Sequence, residues 1–342
     1  MKTTELEYSY PESLVAIEPN PQFRTLLVPP NKPAQEVTKA ELFRQFKAGD
    51  LLIINDTKVS KRRIFTSEQL EILFITALSD RQWKVLFPAR NYKIGQSIVL
   101  PGGVEAKLTK KGLPQTIELS ISIDENYFLE HGEPALPPYI QKARGTRHAK
   151  SEDEAWYQTA WADKTGSSAA PTASLHFTDQ DLQELKNLGI QIEKLTLHVG
   201  LGTFLPIKTD DVKSHVMHKE WVDIPNQTLE KINKAKADGK RVIALGTTVT
   251  RALEAWALGL LKPAQYSVQG ETDLFILPGH EFKVVDILMT NFHQPGSTLL
   301  ALVCAFAGQE NVLKAYAFAI EKQFRLFSYG DLSVWIKPPA KP

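Results

Sequence analysis

The chain has 342 residues, with 40 Lys and Arg against 39 Asp and Glu, a formal net charge of +1 and a sequence pI near 7.8. That balance excludes polybasic nucleic-acid binding spread over the whole surface, and leaves room for a local basic patch. At 43% hydrophobic and 23% charged residues the composition excludes disorder for the bulk of the chain, and the length points to about two domains.

The opening stretch, Met1 to Glu12, has no apolar run after Lys2 and does not read as a secretory signal. Gly49-Asp-Leu-Leu-Ile-Ile54 is a buried-strand run, the first α/β-like element. From Lys58 to Lys150 there are 15 Lys and Arg against 9 Asp and Glu, a surplus of six, so the rest of the chain carries a deficit of five. Such asymmetry in a near-neutral chain fits a dedicated electrostatic face, or merely uneven solvation.

The same segment changes its periodicity. Ile117 to Ile123 alternates strictly, Ser97–Leu100 and Val104–Leu108 flank a Pro101-Gly102-Gly103 turn, and Lys111-Gly112 marks another turn. Short strands at this spacing predict a small β-barrel, which Leu136-Pro137-Pro138 then leaves stiffly. Beyond residue 150 the pattern is mixed α/β. Thr178 with Asp181 predicts a capped helix stopped at Gly189, and Asn226 to Ala237 predicts another, ended by Gly239. Arg241 to Leu245 reads as a strand, followed by Gly246-Thr247-Thr248 and a helix beginning near Val249. Asp286 to Phe292 repeats the device, with a polar turn through His293 and a helix from Ser297 to Ala307. The expected architecture is therefore a mixed α/β main domain, residues 1–57 and 151–342, with residues 58–150 inserted as the barrel. Strand ends feeding helix N-termini gather polar groups at one sheet edge, where α/β proteins bind ligands.

The longest strongly apolar stretch, Thr298 to Ala307, is about half of the roughly 20 residues that span a membrane, so a cytosolic protein is expected. Cys304 lies within it and reads as a small core hydrophobe. GxGxxG after a strand, GxxxxGK[ST] and HExxH are all missing, and Gly200-Leu-Gly202 lacks the third glycine of the first. Six of the eight histidines fall between His176 and His293, but no two-His-one-carboxylate spacing stands out, and no metal is expected.

Polar residues instead cluster in Gly/Thr-rich junctions: Pro171-Thr-Ala-Ser-Leu-His-Phe-Thr178, His198-Val-Gly-Leu-Gly-Thr-Phe204, Met217-His-Lys-Glu220, Gly246-Thr-Thr248 with Arg251, Thr290-Asn-Phe-His293 and Phe327-Ser-Tyr-Gly-Asp331. Singly, each also fits a turn, a satisfied structural histidine or a helix cap. Together, and with Asn55-Asp-Thr57, Leu136-Pro-Pro-Tyr-Ile140 and Tyr157-Gln-Thr159, they resemble the S-adenosylmethionine:tRNA ribosyltransferase-isomerase family of queuosine biosynthesis, in that family's order and over nearly the whole chain. The chain departs from the family pattern at Ser174, His280, Ile287 and Gly296, around Phe23 to Leu27, and in the hairpin after Arg63.

The resemblance implies transfer of the ribosyl part of S-adenosylmethionine to 7-aminomethyl-7-deazaguanine at the tRNA wobble position. Rearrangement to an epoxycyclopentane gives epoxyqueuosine-tRNA, with adenine and methionine released. It also implies an α/β domain with an inserted β-barrel, and S-adenosylmethionine as co-substrate without a resident cofactor. The sulfonium acidifies the adjacent 5′ carbon, so a general base is needed, and departing adenine needs a proton or hydrogen bonds. Candidates for proton transfer are His176, His198, His218 and His293, with Glu220 and Asp331 as carboxylate partners. Thr172, Thr203, Thr247, Thr248, Asn291 and Tyr329 are candidate substrate contacts, and Arg251 and Arg325 candidate anion holders.

For tRNA, Lys142, Arg144, Arg147 and Lys150 at one end of the insertion, and Lys58, Arg62 and Arg63 at the other, should be neighbours near its hinge. Tyr139, Tyr92 and Phe204 are candidate stacking platforms. A monomer is favoured. Two other readings compete: a paralogue acting on another deazapurine or free nucleoside, and a non-catalytic RNA-binding protein.

Overall fold

The structure, a computed structural model, describes residues 1–30, 32–200, 207 and 209–338. Its centre is four adjacent parallel strands, Gln191–Leu197, Leu51–Asn55, Val242–Leu245 and Ile287–Asn291. Leu332–Ile336 runs antiparallel to the last of these, and Thr25–Val28 pairs parallel with it. Gln35–Val37 closes that side, while Glu220–Pro225, Ser267–Thr272 and Lys262–Pro263 extend the other, giving ten strands in one sheet.

Leu51–Asn55, Val242–Leu245 and Ile287–Asn291 are buried at every position and largely apolar because both faces are covered, whereas Gln191–Leu197 is buried only over its last three residues. Leu51, Ile53, Val242 and Ala244 enter one core with the helices Thr247–Ala257, Asn226–Ala237, Thr298–Ala307 and Gln309–Glu321. Leu52, Ile54, Ile243 and Leu245 enter the other, under the helices Lys39–Phe43 and Asp179–Asn187. Local signals set the ends. Thr178 caps its helix by accepting from the Asp181 N–H, and the Asp181 carboxylate accepts the Thr178 N–H at 2.8 Å. Ser297 caps Thr298–Ala307 through the Leu300 N–H at 3.1 Å. No helix of the described residues is long and apolar enough to cross a membrane.

Residues 58–150 contribute a second sheet of seven antiparallel strands with its own core, from Ile64 and Phe74 to Ile117 and Phe128. Its order runs from Gly132–Glu133 through Arg63–Phe65, Glu71–Ala77, Gln82–Leu86, Gln115–Leu119 and Glu105–Lys110 to Ser97–Val99. Ladders join only neighbours in that order, so the sheet curls without hydrogen bonds between its two end strands, where a closed barrel was expected. The two chain ends of the insertion meet, since Arg63 donates to the Gln141 side chain at 3.2 Å. The stretch after Pro137 is helical, Pro138–Arg144, and stops at left-handed Gly145 (φ 66°).

That helix delivers Arg144 into the interior. Its guanidinium makes a two-pronged pair with Asp153 (2.6 and 2.9 Å) and donates to the Ile17 carbonyl at 3.0 Å; the two side chains are 3% and 0% exposed. Asp153 also accepts from the Tyr329 hydroxyl at 3.2 Å, so one buried carboxylate ties the insertion's exit helix to the loop before the last strand. Removing one partner of such a pair leaves an uncompensated buried charge. Asp153→Ala is expected to lower the unfolding free energy by about 3–5 kcal/mol, read from urea denaturation, whereas Lys142→Ala, which breaks a solvent-exposed pair with Glu12, leaves the midpoint in place.

Candidate active site

The four parallel strands end together, and the turns and loops beyond their ends build a cleft with an enclosed volume of about 70 Å³ that is partly open to solvent. Asn55 ends the first strand. Its amide acts as a replacement peptide, donating to the Leu197 carbonyl (2.9 Å) and accepting from the N–H groups of Leu197 and Thr57 (both 3.1 Å). Val199, just beyond the neighbouring strand, lines the cleft. Gly246 follows the third strand at φ 103°, a conformation that suits only glycine, and turns the chain into the helix starting at Thr247. Thr247 and Thr248 therefore sit on the cleft wall at a helix N-terminus.

Asn291 ends the fourth strand and organises the opposite wall. Its amide nitrogen donates to the Phe327 carbonyl and lies 3.1 Å from His176 Nε2, while its oxygen accepts from Thr172 at 3.1 Å. His293 lines the cleft, with Nε2 at 2.9 Å from the Thr290 hydroxyl. Its backbone is held on both sides: the N–H donates to the Tyr316 hydroxyl at 2.9 Å, and the carbonyl accepts from Tyr8. The rest of the lining comes from Ala170 to Ala173, the Phe292–Pro295 turn, Ser297, Leu299, Phe327, Ser328 and Tyr139. Tyr139 comes from the insertion's exit helix and shares a hydrogen bond with Ser328.

No Lys, Arg, Asp or Glu is among the described residues that line the cleft. Its titratable groups are held neutral. Burial depresses His293 to about 3 and pushes Tyr139 up to about 12. His176 is also depressed to about 3, by burial first and then by the Arg325 charge; it supports Asn291 from behind, packed on Phe23 with ring centroids 4.6 Å apart.

Of the candidate residues, the structure brings Thr172, Thr247, Thr248, Asn291 and His293 together on the cleft, with Tyr139, a residue that the sequence suggests for RNA stacking. The others lie elsewhere. His198 follows the strand end but turns away from the cleft lining, bonded through Nδ1 to Thr57 (2.8 Å) with its ring against Gly166. Burial lowers its pKa, against the pull of Asp56 and Asp223. His218 is exposed on the segment before Glu220. Glu220 is buried, accepting from the Gly200 N–H at 2.9 Å and from Arg251, so Arg251 is already neutralised rather than waiting for an anion.

Asp331 accepts backbone N–H groups from Arg24 (2.9 Å) and Arg325 (2.8 Å) and so clamps the loop that carries Phe327 and Ser328. Burial raises its pKa. Arg325 donates to the Glu18 carbonyl, and the buried Tyr329 hydroxyl is committed to Asp153. Thr203 and Phe204 lie outside the described residues. Among the described residues no cluster of three or more His, Cys, Asp or Glu could hold a metal.

The basic set divides by exposure. Lys58, Lys142, Arg147 and Lys150 are exposed. Arg63 is fully buried and bonded to Glu71 at 2.9 Å; Arg62 pairs with Glu125 at 2.6 Å beneath its contact with the Phe128 ring (4.1 Å). Arg144 is internal, held by Asp153. Tyr92 packs edge-on against Phe87 in the insertion's core. Reading the sequence missed Tyr8, Val199, Ser297 and Phe327 as site-forming residues. Val199 and Phe327 each lie in a Gly-containing block and Ser297 at a helix start, so these carried a local trace, whereas Tyr8 carried none; Phe327 takes a left-handed φ of 72° that tertiary packing sustains.

The chain matches the family model described as queuosine biosynthesis protein over residues 3–335. It is 41% identical to the S-adenosylmethionine:tRNA ribosyltransferase-isomerase of Carboxydothermus hydrogenoformans, covering 97% of this chain and 98% of the relative. It is 38% identical to the protein of that name from Thermotoga maritima, again over 97% and 98%. The crystal structure of S-adenosylmethionine tRNA ribosyltransferase from Thermotoga maritima superposes with a TM-score of 0.55 at 30% identity, over 96% of this chain and 99% of that one. With the cleft-building blocks falling inside a match that spans the chain, the protein belongs to the queuosine biosynthesis protein family.

Proposed function

We propose that this chain transfers and isomerises the ribosyl moiety of S-adenosylmethionine onto 7-aminomethyl-7-deazaguanine at the tRNA wobble position, giving epoxyqueuosine-tRNA with release of adenine and methionine. The observation that carries the reading is the likeness along the full chain to proteins named for this activity, in which every strand end that builds the cleft takes part. The cleft suits a neutral, hydrogen-bonding mode of recognition. Thr172, Thr247, Thr248 and Asn291 offer hydroxyls and an amide for a ribose and a purine edge, and His293 offers a neutral imidazole.

A group that protonates only near pH 3 is a poor proton store at neutral pH, so His293 acts by positioning and polarising the substrate rather than by changing charge. S-adenosylmethionine is a co-substrate in this reading, and no resident cofactor takes part. The segment 58–150 works as an inserted barrel-like unit on a main body of residues 1–57 and 151–342, and lends Tyr139 to the cleft. The enzyme acts as a monomer in the cytoplasm.

The tRNA backbone docks on the exposed cations, Lys58, Lys142, Arg147 and Lys150. Beside them Phe65 and His148 pack with centroids 4.1 Å apart and planes tilted by 40°, an aromatic surface on which an unstacked base could rest.

Incubation with S-adenosylmethionine and tRNA bearing the precursor base should release adenine; no release with a competent tRNA would sink the reading. His293→Ala is expected to slow adenine release about 10- to 100-fold, the value of one or two lost hydrogen bonds. His293→Gln should recover part of it. Because the imidazole stays neutral above about pH 3, the acid limb of the rate profile between pH 5 and 8 should coincide in wild type and His293→Gln. Arg147→Ala and Lys150→Ala are each expected to weaken tRNA binding and to reduce the slope of log affinity against log salt by about 0.7–0.9. Filter binding across a salt series checks this; an unchanged slope in both removes the face.

A further inference from the structure

The helix Thr247–Ala257 begins at Gly246, which has no side chain to cap it, and no side-chain oxygen accepts from its first turn. The N–H groups of Thr247, Thr248 and Val249 thus have no acceptor among the described residues and face the cleft wall, with the positive end of the helix dipole behind them. A second observation is independent of the backbone. Thr247 is only 6% exposed as a residue and lines the cleft, and its hydroxyl has no hydrogen-bond partner among the described residues, so it is available to a bound group. Thr248 differs, lying 3.5 Å from the Asn55 amide. Arg251, one turn further along, is committed to Glu220, so the helix start is positive by its dipole and not by a side-chain charge.

We propose that this helix start, with the Thr247 hydroxyl, is the binding site for the α-carboxylate of the methionyl part of S-adenosylmethionine. Backbone N–H groups and one hydroxyl at a helix N-terminus form an anion cradle, and the carboxylate is the anion that the donor itself brings. The proposal rests on the ribosyl-transfer reading and adds to it the orientation of the donor: methionine at the Thr247 end of the cleft, with ribose and adenine toward Asn291 and His293. The same chemistry would accept a phosphate of the RNA backbone, so the test must separate the two sources.

The full-length protein is titrated calorimetrically with S-adenosylmethionine and with its decarboxylated analogue, for wild type, Thr247→Val and Thr247→Ser. Expected is about tenfold weaker binding of S-adenosylmethionine to Thr247→Val, the loss of one hydrogen bond to a charged group. Thr247→Ser should recover wild-type affinity, and the decarboxylated analogue should bind wild type and Thr247→Val within about twofold of each other, since it brings no anion to the cradle. An equal loss for both ligands would place the hydroxyl on the ribose or purine and overturn the proposal; so would no loss for either. Unchanged donor affinity with weaker tRNA binding and a reduced salt slope in Thr247→Val would assign the cradle to an RNA phosphate instead. Because donor binding is read without turnover, failure of adenine release would remove the reaction while leaving the carboxylate site to stand or fall on its own titration.

Discussion

A parallel strand that stops leaves its last peptide groups without ladder partners, and the groups must be satisfied before a cleft can open beside them. Here two asparagines do this. Asn55 bonds both the N–H and the carbonyl of Leu197, so the sheet continues for one further step through a side chain. Asn291 does the same for the loop through Phe327 and holds Thr172 with its oxygen. With the strand ends closed in this way, the turns after them are free to present Thr247, Thr248 and His293. A carboxylate in either place could not donate, and an aliphatic residue could do neither, so the amide's double character is what the architecture requires.

The same economy governs charge. The insertion's surplus of six cations is a true feature of the sequence, yet Arg63 and Arg144 are internal struts and Arg62 is paired against aromatic rings. Counting charges along a chain cannot distinguish a guanidinium facing RNA from one crossing between two parts of a fold. Arg144 and Arg147 are three residues apart around the end of one short helix, and this reversal puts the first against Asp153 and the second in solvent. The electrostatic face is accordingly smaller than the composition suggested, and bordered by Phe65 and His148.

Features with a local cause were legible in the sequence. Caps at Thr178 and Ser297, the apolar strands, and the stop at Gly239 follow from neighbours a few residues away, and Thr290 to His293 announced itself as a polar turn after a strand. The features that were not legible depend on distant approach. Tyr8 reaches the His293 carbonyl across nearly the whole length of the chain, and Tyr139 crosses from the insertion to Ser328. His218, a candidate from its sequence block, lies on an irregular segment that leaves it in water. Closure of the barrel also lay beyond strand spacing, because it depends on whether the first and last strands meet, and here the short Gly132–Glu133 and Ser97–Val99 strands remain ends.

The neutrality of the cleft has a physical logic of its own once a sulfonium donor is considered. An imidazolium at His293 and a sulfonium a few ångströms away would repel strongly in a site of reduced dielectric, by several kcal/mol at an effective dielectric of about 20. Burial that depresses His293 to about 3 removes that charge at every physiological pH without the help of any acidic partner. Tyr139, Phe292 and Phe327 are among the lining residues, and aromatic rings near a cation attract it without supplying a formal counter-charge. A carboxylate in the wall would bind the sulfonium more tightly, but it would also stabilise the ground state of the very charge that is lost when methionine leaves. With the donor placed as proposed above, a neutral, aromatic and hydroxyl-lined cleft would give the sulfonium no fixed counter-charge, the arrangement in which loss of the positive charge is least opposed.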